Sequence, residues 1–90
     1  MTNKQVIENF LRCENGKNKL KTLTCRSRIL YSYNEPIAFN TGQGLIVLTT
    51  EKFSKTTTKY TNLAGKEALL CGFKIFSVKN MWQYLQTKLT

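Results

Sequence analysis

Neither histidine nor aspartate occurs in these 90 residues, and the five carboxylates are all glutamate. That leaves no Ser-His-Asp or Cys-His pair, no histidine-ligated zinc, no EF-hand loop and no Walker-B-type aspartate. Long apolar runs are missing as well. The longest, residues 45–48 and 69–73, fall far short of the roughly eighteen residues that cross a bilayer. Residues 1–5 lack the apolar stretch of a signal peptide, so the expected location is the cytoplasm. Cysteine is sparse and odd in number, Cys13, Cys25 and Cys71, with no Cys-x-x-Cys spacing. Disulfide frameworks and structural zinc fit poorly, and the reading is of small buried thiols in a reducing compartment. Cys25 stands beside Arg26 and Arg28, where a cationic field could activate a thiol, but no base accompanies it.

What the chain has in excess is positive charge. Fourteen lysines and arginines against five acids give +9, with an isoelectric point near 9.8. Lysine outnumbers arginine and threonine and asparagine are abundant, the usage of a low-GC genome. Hydrophobic residues make up 41% and aromatics 11%, enough for a packed core, so the chain is expected to fold despite its charge. A chain of 10.4 kDa buries only about 60–65% of its unfolded surface, which argues for one domain and against a large cofactor cleft.

Residues 3–14 read as an amphipathic helix. Thr2 or Asn3 is placed to cap it, Val6, Ile7, Phe10 and Leu11 share one face, and Gly16 supplies a stop. Over residues 20–50, short runs rich in β-branched, aromatic and aliphatic residues alternate with turn signals at 34–36 and 40–44. They predict an antiparallel meander of three or four strands, with Pro36 at a strand start or on an edge. Ser54 caps a further helix from Lys55, with Tyr60, Leu63 and Ala64 inward and Gly65 as an interruption; residues 67–71 either continue it or form a second short helix. Residues 72–76 can add a strand, and Ser77 can cap a last helix with Val78, Met81, Trp82, Leu85 and Leu89 on one side. The expected fold is α+β: an N-terminal helix, a three- to four-stranded antiparallel sheet and one or two C-terminal helices, packed on one face of the sheet.

The five glutamates share no short helical spacing that would make an acid/base pair, and no metal or cofactor site is expected. The reading is of a binding protein rather than an enzyme. Lys17, Lys19, Lys21, Arg26 and Arg28 form a first basic cluster without an acid among them; on a strand over 20–25, Lys19 and Lys21 would point to one side. Lys52, Lys55, Lys59 and Lys66 form a second, which on a helix makes one stripe with Asn62 in the gap. Lys74, Lys79 and Lys88 lie in an acid-free C-terminal stretch. Such charge favours a phosphate backbone or an acidic protein face, with release of counterions. Tyr31, Tyr33 and Tyr60, interleaved with these lysines, can stack on exposed bases, although aromatics in strands more often serve the core.

Leu30, Ser32, Tyr33, Ile37 and Ala38 spell L-x-S-Y-x-x-x-I-A. Phe53, Ser54, Thr56, Thr57, Thr58 and Lys59 then spell a helix-opening F/Y-S-x-T-T-S/T-K/R. With Asn9-Phe10-Leu11 before them, these motifs resemble a family of small proteins of uncharacterised function found in phages, plasmids and other mobile elements. Many members carry a histidine where this chain has Tyr60, so no role of that imidazole transfers. The resemblance implies a mobile-element setting and the host-cell cytoplasm, where small phage proteins commonly bind and block or redirect a host machine. An inhibitor that imitates DNA should be acidic. This basic chain instead suggests an anti-CRISPR-like modulator that touches RNA, DNA or an acidic groove of a host nucleoprotein complex. The alternative is a free-standing, sequence-tolerant DNA- or RNA-binding accessory protein.

Overall fold

The computed structural model describes residues 1–51 and 54–89, the last two by backbone alone. The elements run α1 (Asn3–Leu11), β1 (Gly16–Lys17), β2 (Leu23–Arg26), β3 (Ile29–Ser32), β4 (Glu35–Asn40), β5 (Leu45–Thr49), α2 (Lys55–Leu70), β6 (Lys74–Val78) and α3 (Met81–Leu89). The class is α+β, as the sequence indicates. The sheet is larger than expected, six strands in the order β1-β2-β3-β4-β5-β6. It is also mixed: β1 to β5 form an antiparallel meander, and β6 lies parallel to β5. A parallel neighbour needs a crossover, and α2 supplies it.

The helices do not share one face of the sheet. α1 and α2 cover one side, where Val6, Ile7, Phe10 and Leu11 meet Leu23, Cys25, Leu30, Ile37, Ala38, Ile46, Tyr60, Ala64 and Ala68. On the other side Met81 and Leu85 of α3 pack on Ile29, Phe39 and Val47. Strands buried on both faces lose the polar/apolar alternation, which explains the continuous runs Ile29-Leu30, Ile37-Ala38-Phe39 and Ile46-Val47. A bulge adds to this. β3 steps once from Leu30 to Tyr31 while β4 steps twice, from Ala38 to Pro36, so Ile37 and Ala38, adjacent in sequence, both enter the α1/α2 core. Pro36 sits where β4 pairs with β3 but has no register partner on β5, so its missing N–H leaves no gap in that ladder.

Helix ends account for most boundary differences. Thr2 caps α1 in a capping box with Gln5. The helix ends at Leu11 rather than near 14: Glu14 N donates to Asn9 O and Cys13 N to Phe10 O, with Cys13 left-handed at φ 61°. Cys13 thus takes the position usually given to glycine in a Schellman motif, and Gly16 belongs to β1. α2 ends in the same pattern, Phe73 N donating to Ala68 O and Gly72 N to Leu69 O, here with Gly72 at φ 86°. Gly65 does not interrupt α2; a side chain there would come within 3.2 Å of Leu48 Cδ2, so glycine lets the helix lie close on β5. Ser77 and Val78 belong to β6, and Asn80 caps α3 instead, its Oδ1 accepting from Gln83 N at 3.0 Å. Among the described residues no helix is long and apolar enough to cross a membrane.

Candidate nucleic-acid interface

The geometry of α2 follows from what it buries. Ser54 Oγ accepts from Thr57 N at 3.2 Å to start the helix. Thr57, Tyr60, Ala64 and Ala68 then recur at spacings of three and four and are buried, which sets one stripe against the sheet. Two polar contacts fix its rotation: Thr57 Oγ1 lies 2.8 Å from Ser32 Oγ on β3, and Tyr60 Oη lies 2.8 Å from Thr22 Oγ1. The opposite stripe is then Lys55, Lys59, Asn62 and Lys66, all exposed. The sequence-predicted lysine face therefore exists along the helix. Lys52, the fourth lysine of that prediction, lies outside the described residues. A shallow depression of about 480 Å³ is lined by Ser54, Lys55, Thr58, Lys59 and Asn62.

The other basic cluster does not form one patch. Residues 20–25 are not a single strand: β2 starts at Leu23, and Lys19 and Lys21 occupy a turn with Lys21 at φ 60°. Asn18 organises this turn, its Oδ1 accepting from Thr22 N and Leu23 N while its Nδ2 donates to Asn3 Oδ1 and Thr22 Oγ1. Through Thr22 and Tyr60 the turn abuts α2, so Lys19 and Lys21 lie at the end of the molecule where α2 begins. Lys17 is on the edge strand β1. Arg26 and Arg28 stand at the far end of the β2–β3 hairpin. The Arg26 guanidinium lies 4.8 Å over the Tyr31 ring. That of Arg28 lies 5.9 Å over Phe39 and donates to Thr41 O at 3.3 Å. Lys74 opens β6, and Lys79 lies in the turn to α3.

The three candidate stacking tyrosines also separate. Tyr60 is 6% exposed, so its ring belongs to the core and is closed to bases. Tyr33 does not share a face with Tyr31, because it has left β3 for the hairpin turn with Asn34, both left-handed at φ 51° and 73°; it is exposed. Tyr31 is half-buried on the α3 side. Two of the three cysteines, Cys13 and Cys71, are exposed rather than buried. Cys25 is buried, donates to Val6 O and Glu14 O at 3.4 and 3.2 Å, and burial pushes its thiol up to about 11. A protonated, enclosed thiol is a poor nucleophile at neutral pH.

Among the described residues little of the positive charge is neutralised internally. Among the described residues the one ion pair is Arg12–Glu14, at 3.8 Å and exposed, which contributes little. Glu35 is engaged elsewhere, accepting from Trp82 Nε1 at 2.9 Å. That contact joins positions 47 apart in sequence, and nothing in the spacing of either residue announces it. Among the described residues no three metal-ligating side chains of the His/Cys/Asp/Glu type gather.

The fold and its surface define a small basic α+β protein with a lysine-lined helix on one side of a mixed sheet. The chain belongs to a family of unknown function, DUF8033, whose model matches residues 1–74. The match spans α1, β1 to β5 and α2, and so the whole lysine face; Trp82 and α3 lie beyond it. No curated protein and no solved structure matches the chain.

Proposed function

We propose that the protein is a non-catalytic binding protein, of phage or other mobile-element origin, that engages the phosphate backbone of nucleic acid within a host nucleoprotein complex and so modulates or inhibits that complex. The observation that carries this reading is the exposed stripe Lys55, Lys59, Asn62 and Lys66 in a chain of net charge +9 with a single described ion pair. Charges without internal partners are neutralised by counterions, and a polyanion that replaces those counterions releases them, a gain that grows as salt falls. Asn62, between the lysines, offers amide donors to the same phosphates.

The test is capture from host lysate with and without nuclease treatment, using the wild-type chain and a variant with Lys55, Lys59 and Lys66 all changed to Glu. A defined complex recovered by the wild type, lost in the variant and weakened by nuclease supports the proposal. Recovery of no complex, together with no binding to purified single strands or duplex at low salt, overturns it. Binding to purified nucleic acid without any host complex turns the reading to a free-standing nucleic-acid-binding accessory protein.

A further inference from the structure

Trp82 is the chain's one tryptophan, and it is 50% exposed near the start of α3. Its polar edge is already satisfied, because Nε1 donates to Glu35 Oε2 at 2.9 Å. The surface it presents to water is therefore hydrocarbon, which gains from being covered. Beside it a cleft of about 300 Å³ lies between α3 and β3, lined by Ile29, Tyr31, Trp82, Leu85 and Gln86. Ile29 and Leu85 are buried and give the cleft an aliphatic base; Tyr31 and Trp82 give it two aromatic rings. Arg26 does not line the cleft, but its guanidinium is stacked 4.8 Å over Tyr31 and sets a positive charge next to it.

These features together call for a ligand that is flat and aromatic on one side and anionic on the other. An aliphatic side chain would fill the cleft and leave Arg26 unmatched. Arg26 would repel a cationic ligand, and Glu35, whose carboxylate keeps its charge while accepting from the indole, directs an anionic group away from the Nε1 edge of Trp82 and toward Arg26. We infer that the cleft is a nucleobase subsite for single-stranded nucleic acid: an unpaired base stacks on Trp82 and its neighbouring phosphate pairs with Arg26. The inference rests on the nucleic-acid reading of the protein and deepens it, since a duplex has its bases already stacked and offers the cleft nothing. The cleft lies on the side of the sheet opposite α2, so the two surfaces can be altered independently.

The experiment titrates a short fluorescein-labelled oligothymidylate, and separately a duplex of the same length, into the unmodified protein at low salt. Label anisotropy reads binding, and indole fluorescence reads only Trp82. The single strand is expected to quench the indole and the duplex to leave it unchanged. Trp82→Leu and Arg26→Ala should each weaken single-strand binding by roughly tenfold, within the range expected for one stacked base, while Trp82→Leu leaves duplex binding intact. An anisotropy rise without quenching overturns the subsite and leaves the nucleic-acid reading standing. A folded Trp82→Leu variant that binds the single strand as tightly as wild type also overturns the subsite. No anisotropy rise with either probe overturns both. Because quenching is read on the wild-type chain, a variant that fails to fold does not weaken the test.

Discussion

The phenol of Tyr60 and the hydroxyl of Thr22 stand 2.8 Å apart, tying the second turn of α2 to the β1–β2 turn that carries Lys19 and Lys21. One hydrogen bond thus holds two basic segments in a fixed relation, and it places Tyr60 in the core. Tyr60→Phe should lower stability by about 1 kcal/mol, measured by urea unfolding, without changing affinity for nucleic acid. Tyr60→His puts a shorter side chain here, which does not reach Thr22 Oγ1 and so loses the bond as well. Burial holds its folded-state pKa below the unfolded value of about 6.5, so its stability should fall as pH drops through and below about 6.5.

Asn40 closes α1 from beneath. Its Nδ2 donates to Phe10 O and Leu11 O at 3.0 and 3.1 Å, and its Oδ1 accepts from Gly42 N at 2.9 Å. It is 1% exposed, so truncation removes a buried donor: Phe10 O keeps Cys13 N, while Leu11 O loses the amide that reaches it in a dry place. Asn40→Ala should cost about 1–3 kcal/mol. Asn40→Asp should cost more at neutral pH, because a carboxylate then faces those carbonyls, and part of the loss should return when the carboxyl is protonated. Chemical denaturation of both variants at neutral and acid pH checks the order.

Cys25 predicts an alkaline weakness. Its folded thiol titrates near 11 against an ordinary value of 9.0, so between those values the unfolded chain has released a proton that the folded chain still holds. Stability should therefore fall as pH rises through this window, with a slope of up to about 1.4 kcal/mol per pH unit. Cys25→Ala should flatten that part of the profile. With a thiol reagent at neutral pH, exposed Cys13 and Cys71 should react first, and Cys25 only as the protein opens.

Tyr33 lies left-handed at φ 51° and exposed in the β3–β4 turn, a conformation that costs a bulky residue roughly 1–2 kcal/mol. Tyr33→Asn should stabilise the fold by up to about 1 kcal/mol, visible as a higher Tm. Nucleic-acid affinity should be unchanged, because the base-stacking role falls to Trp82 rather than to this turn.

The sequence made α1 legible because its cap and its apolar face are local: Thr2, Val6, Ile7, Phe10 and Leu11 all act within one helix. The lysine stripe was legible for the same reason, since Lys55, Lys59 and Lys66 need only helical spacing. The extent of the sheet was not. β1 is two residues long and exists through pairing with β2, and the parallel placement of β6 depends on where α2 leaves the chain. The placement of α3 on the second face was missed, since all helices were expected on one face, although runs such as Ile46-Val47, whose side chains enter opposite cores, carry the signal of burial on both sides. The break-up of the 17–28 cluster was illegible because it turns on Asn18 making a tight turn with hydrogen bonds to its own neighbours. Trp82 and Glu35 are joined only by the three-dimensional fold.

The central claim is that the uncompensated lysines of α2 hold a phosphate backbone. The direct measurement is the affinity of the wild-type chain and of a Lys55→Ala, Lys59→Ala, Lys66→Ala variant for a single-stranded oligonucleotide across a salt series. Three lost phosphate contacts should make the logarithmic salt slope shallower by about 2 and weaken binding most at low salt. No binding by the wild type at low salt, or a folded variant with the wild-type slope and affinity, would contradict the account.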